Sequence, residues 1–134
     1  MKYIYLICPF YALILSTMIK NLIEMLKDKK LDISRILNGS GGMPSCHTAF
    51  ASSLTTLIGF KNGFDSPIFA LALVFLFITS YDAFNIRYES GLHASILNSM
   101  DKSRKLKEKI GHTKLEVMMG FVVGIIVGYI FSKI

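Results

Sequence analysis

Four apolar stretches without Asp, Glu, Lys or Arg constrain the fold of this chain more than any other feature. They are 16 to 18 residues long and lie at Tyr3–Ile19, Met43–Phe60, Ser66–Tyr81 and Val117–Ser132. A helix needs about 20 residues to cross the hydrocarbon core of a bilayer, and the flanks extend each stretch toward that length. A chain with 52% hydrophobic residues and a mean hydropathy of +0.50 is also too apolar for an ordinary soluble domain of this size. We therefore predict an all-α integral membrane bundle of about four spanning helices, forming a single domain over residues 1–134.

Further patterns predict how these helices are arranged. The first helix is predicted from Tyr3 to Lys27 with Pro9 inside it, because membrane helices tolerate an internal proline. Residues Glu89–Ile110 are amphipathic and basic, which predicts a helix or helix pair lying along the membrane interface.

Small residues predict where two helices touch. The second stretch is rich in Ser and Thr, a composition typical of helix–helix contact, and Pro44 is predicted in its first helical turn. Glycines recur every fourth residue in the last stretch, at Gly120, Gly124 and Gly128. Such a stripe of small residues predicts a close approach to another helix.

The basic residues are concentrated in two of the loops. Only Lys61 lies between the second and third stretches. The loops before the second and fourth stretches include Lys27, Lys29, Lys30, Arg35, Arg87, Lys102, Arg104, Lys105, Lys107, Lys109 and Lys114. The positive-inside rule then predicts a multi-pass protein of the cell membrane, with these two loops in the cytoplasm and both termini outside.

The net charge of +6 raises the question of nucleic acid binding. No aromatic-interleaved basic strand, helix-turn-helix pattern or zinc-ligand spacing accompanies that charge. Cations next to the membrane that face anionic headgroups explain it better. We therefore predict no nucleic acid partner.

Two histidines lie at the starts of apolar stretches. Around His47, residues 41–47 combine a glycine loop with a predicted helix N-terminus, where backbone N–H groups and the helix dipole favour an anion. The same pattern fits a helix cap beside an interfacial histidine, and the cluster alone leaves both interpretations open. His112 has Glu116 four residues later, on the same helical face, where a carboxylate can orient an imidazole for nucleophilic attack. Thr113 to Glu116 also spells a capping box, and the two roles are compatible.

Two further charged positions stand out near the ends of apolar stretches. Asp82 is expected to pair, because an unpaired charge there is costly. Arg87, five residues later, can reach it if the helix ends between them. Lys20, taken alone, is explained by a side chain that extends to the membrane surface.

At these residues the chain resembles the divergent branch of the type-2 phosphatidic acid phosphatase superfamily, over nearly its whole length. Residues 41–49 resemble the signature G-G-M-P-S-S-H-S-A, with Cys46 and Thr48 as small substitutions. A second block covers Tyr81-Asp82-Ala83, Ile86-Arg87 and Leu97-Asn98. The third, over residues 106–117, resembles the motif H-x-x-x-D with Glu116 in place of Asp.

The resemblance implies hydrolysis of a phosphate ester or diphosphate without a metal or other cofactor, often on a lipid. It implies that His112 is the nucleophile that forms a phosphohistidine, that Glu116 orients it, and that His47 protonates the leaving alkoxide. The phosphate-binding set that it implies is Ser45 and Gly42 with the adjoining backbone amides, the cations Lys20, Arg87 and Lys107, and Asp82 as an orienting group.

Two motifs of the wider superfamily are absent from this chain. One is Lys followed seven residues later by Arg-Pro, and the other is Ser-Arg shortly before the nucleophile, where Lys105 and Leu106 stand. The usual six helices are also reduced to about four, an arrangement that a homodimer would complete. The leading hypothesis is an integral membrane phosphatase acting on a lipid phosphate or a polyprenyl phosphate or diphosphate. The alternative is a non-catalytic membrane protein that binds or transports anionic phospholipid headgroups.

Overall fold

The computed structural model describes residues 3–28, 42–101, 103 and 105–134, and the described part contains helices and no strand. The helices are α1 (Ile4–Asp28), α2 (Cys46–Asn62), α3 (Pro67–Tyr81), α4 (Arg87–Met100) and α5 (Lys114–Ser132). A π-helical turn, Asp82–Ile86, joins α3 directly to α4. The predicted all-α class is confirmed, and Pro9 lies inside α1 as predicted.

Three helices in the described part are long and apolar enough to cross a membrane. They are Ile4–Leu26, the continuous helix Pro67–Met100, and α5. Their outward faces carry large exposed apolar side chains, for example Leu6, Leu71 and Met118, as expected of surfaces that lipid covers. The prediction of a helical membrane protein is therefore confirmed.

The second apolar stretch forms the centre of the bundle. It folds into α2, which has 17 residues, packs against α1, α3 and α5, and buries most of its small polar side chains. Its hydroxyl groups hydrogen-bond largely to backbone carbonyls, as Thr55 does to Ala51 and to Ala72 of α3. Buried hydroxyls satisfied in this way allow a Ser- and Thr-rich helix to lie inside an apolar bundle.

The glycine stripe of α5 makes the closest helix contact. A Cβ at Gly120 would lie 2.5 Å from the Ser45 carbonyl oxygen, and one at Gly124 would overlap the Ser52 hydroxyl and lie 2.6 Å from the Ala49 carbonyl oxygen. Gly128 makes the corresponding approach further along α2. The predicted role of the stripe is confirmed, and the order of the contacts shows that α2 and α5 are parallel.

Helix α1 runs antiparallel to α2. Tyr5 Oη donates to Asn62 Oδ1 at 2.8 Å at one end, and Thr17 Oγ1 lies 3.5 Å from Cys46 Sγ toward the other. Apolar side chains of three helices fill the space between them: Ile4, Cys8, Ala12, Leu57 and Val127. Because α3 also returns antiparallel to α2, α1 and α3 end where α2 and α5 begin. We call this end, which carries Lys20, Ser45, Asp82 and His112, the histidine end.

The predicted interfacial helix over Glu89–Ile110 was only partly right. Its first part, α4, continues α3 through the π-helical turn, but the helix ends at Met100 and residues 105–110 have no regular structure. These residues run back along α4, where the Asn98 side-chain amide donates to the Leu106 carbonyl and accepts from the Leu106 N–H, both at 2.8 Å. The Glu108 carbonyl also lies so close to Gly91 that a Cβ there would overlap it. These contacts stabilise an extended segment where amphipathic periodicity indicated a helix.

The contact between α2 and α5 leads to a stability prediction. Replacing glycine by alanine normally stabilises a helix by about 1 kcal/mol. At Gly124 the added methyl group meets the backbone of α2, and such overpacking typically costs about 1–3 kcal/mol. We therefore expect Gly124→Ala to lower the thermal unfolding midpoint in detergent. Val122→Ile is the control, because it adds one carbon at an exposed position of the same helix. A midpoint for Gly124→Ala at or above that of the wild type would contradict the packing described here.

Candidate functional site

Two backbone hydrogen bonds join the three sequence clusters at the histidine end. The Ser45 N–H donates to the Glu116 carbonyl at 2.9 Å and links the start of α2 to α5. The His112 N–H donates to the Ala83 carbonyl at 2.9 Å and links the start of α5 to the π-helical turn. Main-chain contacts therefore fix the positions from which the candidate side chains project.

The carboxylate of Glu116 contacts both its own helix cap and the His112 ring. Glu116 Oε2 accepts from the Thr113 N–H at 2.9 Å and lies 3.3 Å from His112 Nδ1. The Thr113 hydroxyl accepts in return from the Glu116 N–H, which completes a capping box. The capping box and the contact between Glu116 and His112 thus occur together in one structure. With Nδ1 turned to the carboxylate, Nε2 is the ring nitrogen directed away from Glu116.

The surroundings of His112 favour its neutral form. Its side chain is only 12% exposed. Burial lowers the pKa of His112 below its ordinary value of 6.5, because desolvation disfavours the imidazolium. The Glu116 carboxylate opposes this by raising the pKa, while the positive charges of Lys20 and His47 add to the lowering. A neutral imidazole at pH 7 is the form that can attack phosphorus.

The other candidate groups converge on the two histidines. Arg87, Asp82 and Lys20 lie near enough to act electrostatically on His47, the second residue of α2. Lys20 and His47 act in the same way on His112. The histidine end thus brings both imidazoles and two cations from α1, α2, α4 and the start of α5 into one neighbourhood.

Arg87 is held by Asp82, although not in the way predicted. Arg87 Nε lies 2.5 Å from Asp82 Oδ2, and the helix does not end between them. The π-helical turn instead pairs the Arg87 N–H with the Asp82 carbonyl, five residues earlier. This wider spacing places residues i and i+5 together, which an α-helix does not do.

Lys20 is buried, with 9% of the residue exposed, so its side chain packs inside the protein. Its side chain packs on Gly42, where a Cβ would lie 2.8 Å from both Lys20 Cε and Glu24 Oε1. The φ angle of +141° at Gly42 is also one that residues with a Cβ rarely adopt. Sequence analysis missed Glu24 as a neighbour of this site. Glu24 lies four residues after Lys20, and this spacing predicts that the two side chains are neighbours on one face of α1.

Ser45 lies in the interior of the bundle. It is fully buried, its N–H is taken by Glu116, and its hydroxyl accepts from Thr48 Oγ1 at 3.0 Å. Because Ser45 is the N-cap of α2, Pro44 precedes the cap, and its predicted place in the first helical turn was wrong. Although Ser45 is the N-cap residue, its side chain accepts no hydrogen bond from the N–H groups in the first turn of α2.

Lys107 belongs to the segment that returns along α4. It is exposed between Leu106 and Glu108, both of which hydrogen-bond to Asn98. The predicted contact of Lys107 with phosphate stays a prediction.

An open cleft of about 560 Å³ adjoins His112. One wall comes from His112, Thr113 and Lys114, and the other from the junction of α3 and α4. That second wall consists of Tyr81, Phe84, Asn85, Tyr88 and Glu89. Sequence analysis did not predict the cleft because it did not foresee that α3 continues into α4. Within the described residues, no group of three or more His, Cys, Asp or Glu side chains is arranged to hold a metal ion.

Comparison with known proteins identifies the family of this chain. The chain is 31% identical to YuiD of Bacillus subtilis strain 168, a membrane protein described as uncharacterized, over 147 aligned positions that cover 95% of this chain and 92% of that protein. No solved structure matches the chain significantly. A model of the divergent PAP2 family matches residues 1–127. This chain therefore belongs to the divergent PAP2 family and is a multi-pass membrane protein.

Proposed function

We propose that this protein is a membrane phosphatase that hydrolyses a lipid phosphate, or a polyprenyl phosphate or diphosphate, through a phosphohistidine intermediate. The observation that carries the proposal is the arrangement of His112, whose Nδ1 lies 3.3 Å from Glu116 and whose charge is influenced by His47 and Lys20. A buried neutral imidazole beside a second imidazole and cations suits nucleophilic attack on an anionic phosphate.

The reaction has two steps in this proposal. His112 Nε2 attacks phosphorus, the bond to the ester oxygen breaks, and the protonated form of His47 donates its proton to the leaving alkoxide. Burial and the charge of Arg87 lower the pKa of His47 below 6.5, while Asp82 opposes this, so the proton is readily given up. A water molecule then attacks the phosphohistidine while His47 accepts its proton. The N–P bond breaks, inorganic phosphate leaves, and both imidazoles return to their starting states.

The charge of the phosphoryl oxygens requires compensation during both steps. Lys20 and Arg87 supply it as preorganised cations, Lys20 packed on Gly42 and Arg87 paired with Asp82. The N–H groups at the start of α2 add donors. Ser45, being buried, acts by holding this first turn against α5.

We also propose that residues 1–134 act as one catalytic unit in the cell membrane. The histidine end then faces the cytoplasm, because the sequence segments that connect α1 to α2 and α4 to α5 are rich in Lys and Arg. The homodimer and the lack of a nucleic acid partner stay predictions.

A non-catalytic protein that binds or transports anionic headgroups is the second candidate. The capping box supports it, because that motif gives Glu116 a structural role without catalysis. Incubating the purified protein with a panel of lipid phosphates separates the two candidates. A phosphatase releases inorganic phosphate, whereas a binder shows affinity without release.

Replacing the nucleophile tests the central step. We expect His112→Asn to lose the acid-labile phosphoenzyme and to lower kcat by about 10³-fold or more, because no other group replaces the attacking nitrogen. His93→Asn is the matched control, since His93 is exposed on α4 and does not line the site. Retention of a phosphoenzyme in His112→Asn would rule out this nucleophile.

The role of His47 is tested by changing the leaving group. General acid catalysis contributes about 10²–10⁴-fold when the leaving group is an alkoxide. An aryl phosphate needs no such protonation. We therefore expect His47→Gln to slow formation of the phosphoenzyme from an alkyl phosphate far more than from p-nitrophenyl phosphate. The rate is measured in the first turnover, before the water step in which His47 also takes part. Equal losses in this first step would show that His47 does not protonate the leaving group.

The dependence of kcat/KM on pH tests the His112 environment. Burial lowers the pKa of His112 below 6.5, so part of the nucleophile is still neutral at pH values below 6.5. We therefore expect the acid limb of the profile, where kcat/KM falls with decreasing pH, to lie only below pH 6.5. Glu116→Gln removes the carboxylate that raises this pKa, so the limb should move to lower pH as the rate falls. Glu108→Gln serves as the control. All variants are measured with the same substrate, so the ionisation of the substrate affects every pH profile equally. A limb that stays in place or moves to higher pH in Glu116→Gln would contradict this assignment.

A further inference from the structure

We propose that the cleft beside His112 binds an uncharged, hydroxyl-rich headgroup, so that the reacting phosphate is carried on a glycerol or a sugar. This inference rests on the proposed function, because it places the phosphate of the same substrate at His112.

The position of the cleft connects it to the phosphate site. His112 lines the cleft, and its charge is also influenced by His47 and Lys20 on the phosphate side. One substrate can therefore occupy both places, with its phosphate between the imidazoles and the next part of the molecule in the cleft. A volume of about 560 Å³ is ample for a glycerol or a sugar ring.

The cleft is lined by groups suited to hydroxyls. The Asn85 amide and the Thr113 hydroxyl each provide donors and acceptors, and the Glu89 carboxylate accepts. The rings of Tyr81 and Tyr88 add flat apolar faces with polar ends. Aromatic faces pack against the C–H groups of polyols while the polar groups bind their hydroxyls.

The cleft has no excess of positive charge to attract a second anion. Apart from His112, its lining residues include one carboxylate and one ammonium, Glu89 and Lys114, which balance each other. A second phosphate would therefore meet a carboxylate as well as a cation there. The acyl chains of a lipid can lie against the exposed apolar faces of the helices, so they do not need to enter this cleft. A neutral polyol therefore fits it better than a diphosphate or a hydrocarbon chain.

A binding experiment tests the cleft without relying on hydrolysis. The His47→Gln protein in detergent keeps every residue of the cleft and slows turnover in the proposed mechanism. Thermal stabilisation by glycerol 3-phosphate and by methyl phosphate gives the two affinities. We expect glycerol 3-phosphate to bind at least about tenfold more tightly, and Glu89→Gln in the same background to remove most of that ratio. Ser95→Ala, an exposed change on α4 outside the cleft, should keep it.

A hydrolysis experiment with the wild-type protein completes the test. Its substrates are a diacyl lipid with a glycerol phosphate headgroup, phosphatidic acid with the same acyl chains, and a polyprenyl diphosphate. We expect kcat/KM to favour the glycerol phosphate headgroup at least about tenfold, and Glu89→Gln to reduce this preference.

The two experiments distinguish failure of the cleft from failure of the enzyme. Hydrolysis without headgroup preference, together with equal affinities for the two soluble phosphates, overturns the cleft assignment and leaves the phosphatase standing. Tighter binding of glycerol 3-phosphate without release of phosphate from any lipid supports the cleft and contradicts the phosphatase. Stabilisation by neither probe, or a preference for the diphosphate, counts against the polyol.

Discussion

The contact between α2 and α5 is the constraint on which the rest of the histidine end depends. Three glycines let the two helices approach until the Ser45 N–H reaches the Glu116 carbonyl at 2.9 Å. His47 and His112 then project from the starts of two parallel helices. A slip of one helical turn, about 5.4 Å, would break the hydrogen bond between Ser45 and Glu116 and shift the two imidazoles relative to each other. Packing of the apolar bundle therefore determines the geometry of the polar site.

Local patterns in the sequence were sufficient to predict the helices and the contact between Glu116 and His112. The apolar stretches predicted the membrane helices, the glycine spacing predicted the contact of α5, and the four-residue spacing predicted that Glu116 meets His112. Each of these features depends on residues that are close together in the sequence, so a local pattern reveals it. His112 nevertheless lies before the first residue of α5 and not on its helical face. The end of α4 at Met100 could not be predicted in this way, because Asn98 pairs with the backbone of a later segment.

The remaining differences arise where tertiary contacts override local pattern. A π-helical turn adds one residue to a helical turn, and apolar periodicity through residues 82–86 gives no sign of it. The burial of Lys20 depends on a glycine from another part of the chain, Gly42. A sequence pattern can identify Lys20 as a charged residue near a helix end. Only the packed structure shows that it approaches both histidines.

The carboxylate at position 116 illustrates how structure and chemistry share one side chain. A glutamate at the third helical position can reach back to the N–H of the cap residue, which is the geometry of a capping box. The same oxygen then meets His112 Nδ1. The carboxylate that orders the start of the helix therefore also orders the imidazole. Its conformational entropy is lost only once, although it makes two contacts. Lys20 and His47 act electrostatically on this ring, while Glu89 and Lys114 line the cleft beside it with balanced charges. The substrate that we propose, a phosphate joined to a neutral headgroup, matches both environments.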